Sequence, residues 1–264
     1  MNIVLRKTLL ALAIAGTAGA AQADIVSGQS YTETDGIRLG AATFQNPGVA
    51  GAGVDGQLLN QLAPATHFAL ADYQDSTGVY TWSGREIVAD GAAPGPDTPI
   101  DHSGIGVWSF AQVGSQDVWF GEWDAEAAEG DGAIGDKVAG THTAWYVGES
   151  GDVATTLPTG APVTYTVQSI NNYTGATLPT STLTANFDGL TASSTGDISF
   201  SGGAITNTGS DVQLAANGVN VASSGGTNGD LAGNFFGTGA AAVAGIVTFA
   251  DRNQDTAFGG SKNP

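Results

Sequence analysis

The chain has 264 residues, 41% of them hydrophobic, with 40 glycines, no cysteine, and 25 acidic against seven basic side chains. Such a charge balance argues against nucleic acid and anionic lipid as partners, and the missing thiols exclude disulfide staples, a lipidated cysteine and thiolate metal sites. No apolar run reaches the roughly 18 to 20 residues that a membrane-spanning helix needs, so no membrane insertion is expected.

Residues 1–23 read as a secretory signal peptide, cleaved before Asp24. Arg6 and Lys7 supply the positive region, "TLLALAIAGTAGA" the apolar region, and Ala21-Gln22-Ala23 a small-x-small cleavage site. Its loss leaves five Lys/Arg against 25 Asp/Glu, a net charge of −20. The expected product is a secreted protein that passes through the periplasm.

Helix signals are scarce. "DGQLLNQLA" places Leu58, Leu59 and Leu62 on one face ahead of Pro64 and predicts about two turns. A strand is expected within 78–88. The segment at 90–101, carrying Pro94, Pro96 and Pro99, reads as an exposed loop. "GVWSFAQVGSQDVWFGEW" predicts a hairpin turning at Gly114-Ser115, with positive φ at the glycine. The acidic, glycine-rich stretch 124–137 is the expected domain boundary, giving units 24–137 and 138–264. Beyond Trp145 tryptophan disappears and Thr, Ser, Gly and Ala dominate.

Period-two alternation marks further strands. In "VTYTVQS", Val163, Tyr165 and Val167 share a face, and in "TLTANF" Leu183, Ala185 and Phe187 do. Others are expected at 141–148, 197–201, 211–215, 230–236, 244–250 and 255–259, which makes the fold all-β. Near the end, "DLAGNFFGTGAAAVAGIVTF" bunches its bulk (Phe235, Phe236, Phe249) apart from its smallest residues, and Phe258 follows in "TAFGG". A hairpin of a β-sandwich or the closing hairpin of a small filled barrel accounts for that pattern.

The same stretch resembles the closing hairpin of the barrels in transferrin-binding protein B and its relatives. "LTANFDGLTASSTGDISFSGG" is similar to an earlier part of that barrel, and "TAWYVGES" (143–150) to its opening strand. Without a lipidated cysteine and with a short N-terminal half, the chain looks most like the hemophilins. The resemblance implies an N-terminal β-rich, heme-binding handle domain (24–137) and a C-terminal small eight-stranded antiparallel β-barrel (138–264). It also implies capture of heme, delivery to a TonB-dependent outer-membrane receptor, and export through an outer-membrane translocon of the surface lipoprotein assembly modulator type. The alternative is a secreted or surface protein-binding module with the same barrel and no heme.

Heme iron takes an axial ligand with a free lone pair, most often neutral imidazole. Of the three histidines, His67 in "PATHFALADY" and His102 in "PIDHSGIG" fall in loops of the N-terminal half, and both are expected to ligate the metal. Asp101, adjacent to His102, could orient an imidazole, although side chains of sequence neighbours usually point apart. His142 reads as a strand residue at the start of the barrel. Tyr73 is a candidate oxygen ligand, and Trp108 belongs to an aromatic supply suited to a flat apolar slot. Arg85 and Arg38 are the cations of this half available to a propionate.

Enzyme signatures are missing. "GESGD" (148–152) has Asp152 where a nucleophile elbow needs glycine. "DRNQDT" (251–256) lacks the glycine and late glutamate of a calcium loop. Three histidines without H-E-x-x-H make no zinc site. A binding protein, not an enzyme, is expected.

Overall fold

The computed structural model describes residues 24–57, 60–91, 102–130 and 132–264. The expected signal segment, Leu58 and Leu59 of the expected helix, and most of the proline-rich loop with Asp101 lie outside them.

Sixteen strands and two short α-helices are described. The first half holds β1 (Ile25–Gln29), β2 (Ile37–Ala41), β3 (Ala50–Val54), β4 (Ala63–Pro64), the single turn α1 (Ala65–Phe68), β5 (Tyr80–Ser83), α2 (Gly84–Ala89), β6 (Val107–Gln112), β7 (Val118–Asp124) and β8 (Thr143–Glu149). The second half holds β9 (Val163–Ile170), β10 (Thr180–Asn186), β11 (Thr191–Gly196), β12 (Ile198–Asn207), β13 (Val212–Val221), β14 (Gly226–Phe236), β15 (Ala242–Thr248) and β16 (Thr256–Lys262).

Strands β9 to β16 follow one another round a closed antiparallel barrel, with β16 pairing back onto β9. Every second residue points inward: Tyr165, Val167, Leu183, Ala185, Leu214, Phe235 and Phe258 fill the interior. An eight-stranded barrel has room for little else. The bunched small residues of the sequence now have a cause. Gly233 and Gly245 face each other across β14 and β15, and the Phe258 ring lies over both inside the barrel. Between those strands the chain turns at Gly237–Ala241, where Gly237, Gly239 and the buried Ala240 all take positive φ.

The first half builds a five-stranded sheet in the order β1-β8-β7-β6-β5 and a three-stranded sheet β2-β3-β4. One face of the larger sheet carries Trp82, Trp108, Phe110, Trp119, Trp123 and Trp145, packed against Ala50, Ala52, Ala63 and Phe68 of the smaller sheet and α1. Its other face carries Ala111, Val118, Phe120, Ala144 and Tyr146, packed against Phe236, Ala242, Ala244, Ile246 and Ala257 on the outer wall of the barrel. Burial on both sides explains why β7 is buried along its whole length and why its sequence shows no alternation.

Three expectations are corrected. The strand at Thr143–Glu149, read as the opening of the barrel, pairs with β7 and β1 in the five-stranded sheet, and the barrel begins at Val163. His142 therefore precedes a sheet strand, not a barrel strand. The segment 78–88 is a strand only to Ser83, whose Oγ accepts the Glu86 N–H and starts α2. That Ser-x-x-Glu spacing is a helix-start signal. Ala63 and Pro64, expected to end a helix, instead pair with Ala52 and Gly51 at the edge of the small sheet, a position that tolerates proline. The predicted hairpin is present with Gly114 at φ 56°, although its connection extends to Asp117 before Val118 resumes pairing.

A methyl group added at Gly245 would sit 2.5 Å from both the Ala232 carbonyl oxygen and the Phe258 ring. Gly245→Val is therefore expected to lower stability by about 1–3 kcal/mol, the range for overpacking. Gly202, where an added Cβ would meet nothing within 4 Å, serves as control: Gly202→Ala should change little in the same urea titration. A Gly245→Val change within about 0.5 kcal/mol would contradict the close packing there.

Candidate functional site

Two turns rest on the tryptophan face of the sheet, and each carries a histidine. The first is α1. Its Phe68 ring stacks on Trp108 (5.9 Å, 9°) and on Trp82 (5.5 Å, 25°), and the Trp82 indole N–H donates to the Phe68 carbonyl at 2.9 Å. That fixes the turn and leaves the preceding residue, His67, exposed, with the Phe44 and Phe68 rings edge-on at 6.3 and 5.9 Å.

The second is the 3₁₀ turn Ser103–Ile105, opened by the half-buried His102, whose carbonyl accepts the Ile105 N–H. The Ile105 carbonyl in turn accepts two indole N–H groups, from Trp108 and Trp123, each at 2.9 Å. Trp108 thus holds both turns, one by stacking and the other by hydrogen bonding. Buried to 1% exposure, it supports the histidine-bearing turns from below and presents no open face.

The remaining candidates sit differently. Tyr73 is half-buried and its hydroxyl donates to Asp90 Oδ2 at 2.9 Å. Burial, followed by the Asp90 carboxylate, pushes the phenol up to about 12, so tyrosinate is disfavoured at neutral pH. Arg85 turns inward: its guanidinium donates to the Gly130 and Ala133 carbonyls and pairs with the buried Glu126 at 3.5 Å. Arg38 is more open, bonded to the Asn60 carbonyl and 3.8 Å from Asp55. His142 lies away from this face, between sheet and barrel. Phe44, an isolated aromatic in a turn, is the neighbour of His67 that the sequence did not single out.

Comparison with protein-family models assigns residues 20–143 to the HphA N-terminal heme-binding domain and residues 155–262 to the HphA C-terminal domain. The chain belongs to the HphA (hemophilin) family. Among solved structures, a transferrin binding protein B point mutant from Actinobacillus pleuropneumoniae H49 matches 91% of this chain and 100% of its own, at 13% identity and a TM-score of 0.41. Transferrin binding protein B from serogroup B Neisseria meningitidis matches 60% of this chain at 12% identity and a TM-score of 0.38. The mutant from Haemophilus parasuis Hp5 matches 64% at 14% and 0.41. The hemophilin chain spans only 34% and 38% of those last two proteins, and at such scores the likeness carries no argument about function.

Both histidine turns and four of the five tryptophans of that face fall inside the matched heme-binding domain, and Trp145 lies just beyond it. The residue types there are ones that heme iron takes: an exposed imidazole beside two aromatic rings, and a second imidazole on a turn bonded to Trp108. Among the described residues no cluster of three or more His, Asp or Glu forms an alternative metal site.

The inward-facing Arg85 has a measurable consequence. Arg85→Gln would strip the buried Glu126 carboxylate of its cation and is expected to cost roughly 3–5 kcal/mol, as broken buried pairs do. Urea denaturation checks this. A loss below about 1 kcal/mol would mean that the guanidinium is free for another partner.

Proposed function

We propose that this hemophilin is a secreted hemophore, which takes up heme at the His67 and His102 turns and delivers it to an outer-membrane receptor. The observation that supports the reading is that His67, on the single helical turn α1 and not in a loop, and His102, at the start of a 3₁₀ turn, both belong to turns anchored to one aromatic layer by Trp82, Trp108 and Trp123. His67 and His102 are the proposed iron ligands, with Phe44 and Phe68 beside the first supplying apolar contact. Bound heme supplies the iron and the porphyrin surface, and the chain's own part is to hold two imidazoles on rigid turns. Arg38 is the proposed propionate partner in preference to Arg85, because its guanidinium is the more exposed. Cleavage before Asp24 and passage through a translocon would place the protein outside the cell, where a net charge of −20 favours solubility.

Heme titration followed by absorbance tests the reading. One-to-one saturation with a Soret shift is expected, and the ferric complex should be low-spin, because two imidazoles give a strong field. His67→Ala or His102→Ala should each yield high-spin iron with altered charge-transfer bands and weaker binding. His142→Gln should keep the wild-type spectrum. A spectral change in the His142 variant alone would place the ligand elsewhere. Silence in every histidine variant would turn attention to Tyr73. No Soret shift in the wild type would favour the protein-binding module.

A further inference from the structure

At one end of the contact between sheet and barrel, away from the two histidine turns, lies a buried polar cluster. His142 is 1% exposed. Its Nε2 is 2.9 Å from the carbonyl oxygen of Asp255, the residue before β16, and its Nδ1 is 3.4 Å from Asp124 Oδ2 and 3.9 Å from Glu122 Oε2 on β7. Oxygen acceptors therefore face both ring nitrogens, while the Asn171 amide nitrogen, 3.5 Å from Nε2, makes its shorter bond (2.9 Å) to the same Asp255 carbonyl. A neutral imidazole carries one N–H and would turn a lone pair on one of those oxygens, whereas the imidazolium donates to both sides.

The charges around the ring favour the same state. Glu122 and Asp124 face it from β7, and Lys137 sits 2.7 Å from Glu122 and 3.0 Å from Asp124. Two carboxylates against one lysine and one imidazolium leave the cluster neutral, and loss of the imidazole proton leaves it negative in a buried place. From the barrel, Arg252 donates to the His142 and Thr141 carbonyls, pairs with Glu33 and lies over the Tyr31 ring, with Asp251 beside it. Glu122 also accepts the N–H groups of Asn172 and Tyr173, which follow β9. The cluster joins both halves of the molecule.

We propose that His142 is a proton-operated latch, which in its imidazolium form ties the five-stranded sheet to the barrel and on deprotonation loosens the contact at Asp255 and Asn171–Tyr173. Burial opposes the charge on His142, but the Asp124 hydrogen bond and the Glu122 and Asp124 charges outweigh it and raise the pKa. A raised histidine pKa contributes stability that is fully present below the unfolded value of about 6.5 and is lost as pH rises through the folded value. Asp255 acts in the same direction: burial pushes its carboxyl up to about 6, so its ionisation weakens the contact as pH climbs toward that value. Asp124, lowered, and Lys137, raised, titrate outside this window.

The test uses the full chain. Long-range ¹H–¹⁵N spectra of the imidazoles across pH 5 to about 9.5 should show His142 doubly protonated at neutral pH, with a midpoint above the ordinary histidine value of about 6.5. As pH passes that midpoint, amides at 171–173 and 255–258 should exchange faster relative to those of β13. His142→Gln, which keeps a donor for the Asp255 carbonyl, should remove the step. A His142 ring that is neutral at pH 7, or an exchange ratio that stays flat through the titration, overturns the proposal. Both wild-type readouts decide it even if the variant does not fold.

Discussion

The structure depends on one sheet being buried on both faces. Strands β6 to β8 have the tryptophan layer on one side and the barrel wall on the other. The barrel offers Ala242, Ala244, Ala257 and Gly259 at that wall, and a Cβ on Gly259 would sit 2.3 Å from the Phe120 ring. Small outer residues let the backbone approach, so Phe120, Tyr146 and Phe236 interdigitate. Tyr146 donates to Asn234 at 2.8 Å, and Asn234 donates to Asp211, which satisfies the polar groups enclosed there. With the sheet immobilised from behind, its front face can hold two short turns that have no stability of their own.

What could be read from the sequence follows from the same burial. Strands such as β9 and β10 alternate clearly because their outer face meets water, and both were legible. Strands β2 and β3, with sequences IRLGA and AGAGV, carry too much glycine and alanine to signal a strand, yet they pair over five residues. The barrel was suggested by pattern and resemblance together, but its first strand was misplaced. "TAWYV" is apolar without a break because two layers cover it, and nothing local says which layer is the barrel.

The candidate site was legible to the level of residue type. Histidines in loops of an aromatic-rich half are visible in any sequence; the indole hydrogen bonds that hold their turns are not. Trp108 was expected to line a slot and instead lies within the core beneath Phe68. Arg85 was a reasonable partner for an anion until its own partners appeared, 41 residues on at Glu126 and in the loop beyond. His142 shows the same limit, since the carbonyl nearest its ring, that of Asp255, lies 113 positions away.

All five tryptophans of the chain, Trp82, Trp108, Trp119, Trp123 and Trp145, sit on the front face of that one sheet, and the barrel has none. Indole emission therefore reports on this layer alone, while the barrel interior is represented optically by Tyr165 and its phenylalanines. Excitation at wavelengths that indole alone absorbs therefore follows loss of order in the sheet by itself, without any label, whereas tyrosine signal mixes Tyr165 of the barrel with Tyr80 and Tyr146 of the sheet.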